Sequence, residues 1–129
     1  MLDEQTRRLA KGKNFASLTT LRKDGSPTAQ VMWVDCDDEH VLINTEVHRQ
    51  KFKNLSTDPR VTVTVFNADN PYQYVEARGR VVGTEAGPVA RENIDELSRK
   101  YTGNDYGTTV QSERVIVRIT PERIHKNGY

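Results

Sequence analysis

Between two apolar stretches, Val41-Leu42-Ile43 and Val61-Thr62-Val63-Thr64-Val65, lies a short segment that gathers His48, Arg49, Lys51 and Lys53. Elsewhere acids and bases are mixed, and the whole chain carries a net charge of only +1. A local cation cluster suits one kind of chemistry, the capture of an anion through charge-assisted hydrogen bonds. The segment reads as a short helix, with Thr45 as its N-cap and Glu46 at the positive end of the helix dipole. At about 100° per residue, His48, Phe52 and Leu55 share one face, which docks the helix. Arg49 and Lys53 flank that face on one side and Lys51 on the other. The helix N-terminus is itself an anion site in principle, and Asn44 and Thr45 would add neutral hydrogen-bond donors. Together these groups suit a phosphate. The competing reading is an ordinary solvated face, because amphipathic helices commonly carry Lys and Arg. Spacing alone leaves both open.

The remaining candidates are sparse. The single tryptophan, Trp33, sits in the strand-like stretch "QVMWVD". It is either a core residue or, facing an anion site, a wall for a planar ring. His40, His48 and His125 show no metal-ligand spacing, so no metal site is expected. Cys36 lies beside Asp35, Asp37 and Asp38, which should raise its pKa and argues against a reactive thiol. The chain has no GxGxxG, no P-loop, no GxSxG and no visible nucleophile–base pair, and no catalytic side chain is assigned. Catalysis on such a chain would need a cofactor to carry the chemistry.

These residues must be positioned by a small, strand-rich scaffold. At 129 residues the chain is read as one domain spanning positions 1–129. One cysteine excludes an internal disulfide and fits a reducing compartment. No apolar run approaches the roughly 20 residues of a membrane span, and no signal-peptide core opens the sequence. A cytoplasmic protein with no nucleic-acid or membrane partner is the expectation. A helix over 4–11 ends at Gly12. Strands follow over 14–21, 28–37, 41–45, 60–67, 72–85 and from 113 onward. Asp24-Gly25 marks a hairpin, Gly79 and Gly83 mark bulges, and Pro121 is expected to start a short separate segment. A longer helix over 87–101 has Pro88 in its first turn, with Ala90, Ile94, Leu97 and Tyr101 at helical spacing. Six hairpin-linked strands with few helices indicate a mainly β protein, a small antiparallel barrel.

The stretches "DGSPTAQVMWV", "VLINTEVHRQKFKNLSTDPRVTVTV" and "YVEARGRVV" resemble the pyridoxamine-5′-phosphate-oxidase-like split-β-barrel superfamily of flavin and deazaflavin proteins. Within it they are most similar to the F420-dependent oxidoreductase branch of actinobacteria. The likeness runs from Gln5 to Thr120. It implies a six-stranded antiparallel split β-barrel of the FMN-binding type, a homodimer with cofactor sites at the subunit interface. By position Lys51 matches the phosphate lysine, and Asn44, Thr45, Arg49 and Gln50 line the same corner. Gln30, Val31, Met32 and Trp33 match the strand that runs along the cofactor ring. Lys53 and Arg49 could meet the polyglutamate tail of F420, and Tyr74, Arg78 and Tyr106 are candidates for the substrate pocket. The implied activity is transfer of a hydride from C5 of reduced F420 to an electron-poor conjugated small molecule. Pyridoxamine phosphate oxidases place an Arg in the second strand where this chain has Ala29 and Gln30, and their C-terminal substrate-binding segment has no counterpart here. Both departures count against vitamin B6 oxidation. An FMN-dependent oxidoreductase on the same barrel, or a non-catalytic carrier of F420, flavin or a tetrapyrrole, are the alternatives.

Overall fold

Seven strands, each antiparallel to its neighbours, join into one sheet in the computed structural model, which describes residues 1–129. In chain order the elements are α1 (Glu4–Lys11), β1 (Phe15–Leu21), β2 (Pro27–Met32), β3 (Asp35–Cys36), β4 (Val41–Glu46), α2 (Gln50–Thr57), β5 (Arg60–Phe66), β6 (Tyr74–Ala86), α3 (Pro88–Thr102) and β7 (Arg114–Asn127). The spatial order is β2-β1-β5-β6-β7-β4-β3, so β2 and β3 are the two outer edges. Only Trp33 and Val34 separate them in sequence. Two residues reach at most about 7 Å, so the sheet must curl until its edges nearly meet. The result is a barrel that is not closed, split between β2 and β3.

Two side chains of α3 fill the split. Val34 is fully buried and has no strand partner. Its N–H donates to Tyr101 Oη at 3.2 Å, and its carbonyl accepts from Lys100 Nζ at 2.7 Å. Tyr101 Oη also donates to the Asn14 carbonyl. Trp33 stacks on the Tyr101 ring, with centroids 5.0 Å apart and planes 4° from parallel. Burial pushes the Tyr101 hydroxyl up to about 12, so it stays a neutral donor.

Alternation explains the core. Ala16, Leu18, Val61, Val63, Val65, Val75, Ala77, Val117 and Ile119 point inward from neighbouring strands and bury together. Val115, Ile116 and Val117 are all buried, because α3 covers the outer face of β7 there. The α1 helix begins on the Asp3 cap, whose carboxylate accepts from the Thr6 N–H at 2.9 Å, and buries Thr6, Leu9 and Ala10. Asp24-Gly25 makes the expected hairpin turn, with Gly25 at φ +86.

Four expectations are corrected. The sheet has seven strands rather than six, since the stretch 28–37 is interrupted at Trp33–Val34, where Val34 bonds to α3 instead of a strand, and β3 is separate. Thr45 is not a helix cap. Pairing of Thr45 with Val115 and of Glu46 with Arg114 keeps both in β4, and α2 starts at Gln50 after Arg49. His48 therefore leaves the docking face, and its ring lies 2.5 Å from Ser112 Oγ. Pro121 does not end β7, which runs unbroken from Arg114 to Asn127. A register shift between Arg78 and Gly79 absorbs the missing N–H of Pro121. Gly79 is required at that point, because a Cβ there would lie 2.0 Å from the Thr120 carbonyl oxygen. Gly83 sits at a second shift, as expected.

The split makes a direct prediction. Tyr101→Phe keeps the ring stack but removes the hydroxyl that serves Val34 and Asn14. Unfolding in urea is expected to show a loss of about 1–3 kcal/mol, the cost of unpaired buried backbone groups. Unchanged stability would mean that the hydroxyl does not close the split.

Candidate functional site

A cavity of about 240 Å³ lies where the end of β4, the start of α2 and the buried face of α3 converge. Met32, Trp33, Ile94, Leu97 and Tyr106 form its apolar lining, with Trp33 and Tyr106 packed against Ile94 and Leu97. Asn44, Thr45, Arg49, Lys51 and Arg114 supply the polar groups. Phe52 and Leu55 dock α2 on the barrel, with Leu55 in the core and Phe52 against it. Asn54, on the same helix, donates to Thr20 Oγ1 at 3.0 Å and fixes its seat.

Three cations converge on this cavity. Arg49 lies 3.7 Å from the Glu46 carboxylate, which offsets part of its charge. Arg114 is buried at 8 % exposure, with its guanidinium 4.8 Å from the Tyr106 ring centroid. Lys51 has no carboxylate partner within salt-bridge distance. Its amine is pulled down to about 8, first by burial and then by the positive charges of Arg49 and Arg114. The first turn of α2 has no capping side chain and no acidic residue. Such a corner is electrostatically incomplete without an anion.

The hydrogen-bond inventory agrees. Three buried side-chain atoms of the protein lack any partner: Asn44 Oδ1, Thr45 Oγ1 and Arg114 Nε. All three belong to residues that line this cavity. Buried polar groups are normally paired, so three orphans in one place point to a polar ligand. Glu46, next in sequence, is buried and satisfied. Burial works to raise its pKa, but N–H donors from Ser112 and Gln111 and the charge of Arg114 hold it below the usual range. Its Oε1 accepts those two N–H groups at 2.9 and 2.7 Å and pins the loop that leads into Arg114.

The structure brings together Met32, Trp33, Asn44, Thr45, Arg49 and Lys51 of the nine expected binding residues. Gln30 and Gln50 lie in an adjoining recess that shares Lys51. Gln50 is engaged there, donating to Asn54 Oδ1 at 2.7 Å. Val31 points outward at 65 % exposure on the edge strand β2. Tyr106 lines the cavity, whereas Tyr74 lies 6.3 Å from His125 and Arg78 lines a separate arginine-rich groove. Asn44 does not supply a free donor as expected, since its amide donates to the Ala90 carbonyl and to Asn93 Oδ1. Sequence reasoning missed Ile94 and Leu97 as wall residues, and it missed Arg114. The one signal for Arg114 was a charge heading an apolar strand. The thiol of Cys36 is pushed up, as expected, but burial contributes more than the neighbouring aspartates. No helix is long and apolar enough to cross a membrane.

A family model described as pyridoxamine 5′-phosphate oxidase matches residues 2–128. Among solved structures, an F420 reductase superposes with a TM-score of 0.82 at 28 % identity, covering 98 % of this chain and 100 % of the other. The conserved hypothetical protein Rv2991 of Mycobacterium tuberculosis gives 0.72 at 23 %, with 98 % and 85 % covered. HutZ, a heme storage protein of Vibrio cholerae, gives 0.68 at 12 %, with 99 % and 96 % covered, and shares the fold alone. No curated protein sequence matches the chain.

The depressed Lys51 amine predicts a pH dependence. Binding of a phosphate ester, followed by the fluorescence of Trp33, is expected to weaken as pH rises through about 8, where Lys51 loses its charge. Near that pH, calorimetry in buffers of different ionisation enthalpy should record proton uptake on binding. The unliganded protein should move the other way. It gains stability as pH rises from about 8 towards 10.5, because the folded chain releases the Lys51 proton first. Lys51→Arg should flatten both profiles, and a profile unaffected by that substitution would exclude Lys51 as the titrating group.

Proposed function

The chain belongs to the pyridoxamine 5′-phosphate oxidase family, and from that premise we propose that it is an F420H2-dependent reductase, a cytoplasmic homodimer whose residues 1–129 form one deazaflavin-binding split barrel. The observation that carries the reading is the gathering of three orphaned polar atoms and three cations at one cavity. The likeness to an F420 reductase supports the choice of cofactor. The residues fit the phosphate and polyol portion of such a molecule. Lys51, Arg49 and Arg114 hold the phosphate through charge-assisted hydrogen bonds. Thr45 Oγ1 and Arg114 Nε gain partners that they lack within the chain.

Reduced F420 supplies, when bound, a hydride from its C5 to an electron-poor conjugated small molecule. The chain itself binds, orients and excludes water. The cavity is smaller than the roughly 300–1,000 Å³ of a complete ligand pocket, so a cofactor-sized molecule must extend beyond it. The open edge of β2, from Gln30 to Met32, offers unpaired backbone groups to a ring laid along it. Trp33 and Met32 give that ring an apolar margin. The face opposite β2 would be supplied by the second subunit of the homodimer. The cavity lining holds no carboxylate, histidine or cysteine; besides Lys51 only the Tyr106 hydroxyl could serve a proton, and solvent is the other source.

Separate titration of F420 and FMN against Trp33 fluorescence tests the cofactor. Saturable F420 binding is expected, followed by oxidation of F420H2 in the presence of an activated alkene. Tight FMN binding with no F420 binding would replace this reading by the flavin-dependent one. F420 binding without turnover across a panel of activated alkenes would leave a carrier rather than a reductase. Lys51→Ala is expected to weaken cofactor binding by about 1.5–3 kcal/mol, the range for charged hydrogen bonds.

A further inference from the structure

We propose that Lys51 is a nucleophile as well as an anchor: in the unliganded chain its amine condenses with small phosphorylated aldehydes to a reversible imine, while Arg49 and Arg114 hold the phosphate. The inference rests on the anion site proposed above but not on the identity of the cofactor, and it gives that site a covalent chemistry of its own.

Lys51 stands apart from the other six lysines. Lys11 is paired with Asp35 at 2.9 Å and Lys126 with Asp3 at 3.3 Å. Lys13, Lys23 and Lys53 are exposed. Lys100 is half-buried like Lys51, but its amine donates to the Ala10 and Val34 carbonyls at 3.0 and 2.7 Å. Lys51 alone is half-buried with an amine that makes no hydrogen bond and no ion pair. It lines both the cavity and the adjoining recess. Unlike the orphaned atoms of Asn44, Thr45 and Arg114, the amine retains accessible surface.

The charged and titratable groups around it are Arg49 ahead of α2, Arg114 of β7, Arg22 after β1 and Tyr106 in the loop after α3. No carboxylate lines either hollow. Glu46 of β4 is engaged with Arg49, Gln111 and Ser112. Burial and neighbouring cations are the two means by which a lysine becomes nucleophilic near neutral pH, and both act here. With the amine at about 8, about one part in ten is neutral at pH 7, against roughly one in three thousand for an ordinary lysine.

The lone pair of the neutral amine attacks the aldehyde carbon, and the carbonyl π pair moves to oxygen. The carbinolamine then expels water as the C=N bond forms. Both amine hydrogens leave with the departing oxygen, and no oxidant or reductant takes part. The phosphate meanwhile supplies the anion that the corner lacks. The cavity admits a small aldehyde of this kind whole, where it is too small for a complete cofactor. The adduct occupies the phosphate corner, so it and a phosphate-bearing cofactor exclude one another.

Glycolaldehyde phosphate and glycolaldehyde test this, each with cyanoborohydride to fix the imine as a secondary amine, followed by peptide mapping in the mass spectrometer. Near pH 8 glycolaldehyde phosphate is expected to label Lys51 at least about tenfold faster than Lys53, its exposed neighbour on the same helix. The Lys51 rate should level off above about 8, while that of Lys53 keeps rising. The ratio of Lys51 to Lys53 labelling should fall several-fold with glycolaldehyde, and inorganic phosphate should protect Lys51 from the phosphorylated probe. Equal labelling of the two lysines by glycolaldehyde phosphate overturns the inference. If inorganic phosphate still changes Trp33 fluorescence in that case, the anion site stands without the nucleophile. Preferential labelling of Lys51 by both aldehydes alike, with no protection by phosphate, overturns the capture by Arg49 and Arg114 and the anion site with it. No cofactor enters the measurement, so a failure to bind F420 does not alter its result.

Discussion

The two-residue connection from β2 to β3 is the constraint on which the structure depends. It joins the outermost strands of a seven-stranded sheet, so the sheet must curl into a barrel, yet it leaves Val34 with no strand to pair with. An unpaired buried backbone amide is costly. The remedy comes from α3, through Tyr101 and Lys100. This explains why one helix packs over the split and why Trp33, thrown outward at the break, stacks on Tyr101. The same placement packs Trp33 against Ile94 and Leu97, so that all three line the cavity. Closing the fold and building the site are one event.

Folding and binding pull in opposite directions at the other end of that cavity. Three cations converge there, and Lys51 is half-buried without a carboxylate. Asn44 Oδ1, Thr45 Oγ1 and Arg114 Nε are orphaned. Each orphan costs about 1–3 kcal/mol relative to a satisfied group, so the unliganded chain keeps these features at the expense of stability. Contrast Glu46, buried beside them and fully satisfied by Ser112 and Gln111. The chain can satisfy buried polar groups at this depth, and the ones it leaves unsatisfied belong to residues that line the cavity. That selectivity distinguishes a binding site from imperfect packing.

Much of the scaffold is legible in the sequence, because its signals are local. Asp24-Gly25 fixes its hairpin through backbone conformation alone. Pro88 with Ala90, Ile94, Leu97 and Tyr101 specifies α3, and Gly79 and Gly83 mark the bulges. The failures are tertiary. Nothing within Gln30 to Cys36 announces a break, since Val31-Met32-Trp33-Val34 is an unbroken apolar run that suits a strand; the partner that Val34 finds at the break lies nearly seventy positions away. Thr45 has the composition of a cap, but pairing with β7 overrides it. Pro121 signals an end, and the shift opposite Gly79 removes the need for one. In the site, Lys51, Arg49, Asn44 and Thr45 are visible because they cluster in sequence. Arg114 is not, because only the β4–β7 register brings it to them. Asn44 was visible as a polar residue but not as an acceptor, because the groups that use up its donors lie on α3.

The open edge of β2 completes the reasoning. An exposed strand edge with an apolar side chain such as Val31 invites pairing or covering. The cavity beside it, which Met32 at the end of β2 helps to line, is too small for a whole cofactor. A second subunit laid across β2 would cover Val31 and bound the ring of the proposed cofactor on its free face. In that arrangement the split, which weakens the barrel as a closed object, is what leaves an edge available to a planar ligand. A fully closed barrel would bury every backbone group of β2 in its own ladder and offer only side chains. The two-residue connection therefore does more than curl the sheet: it keeps β2 at an edge, beside the cation-lined cavity.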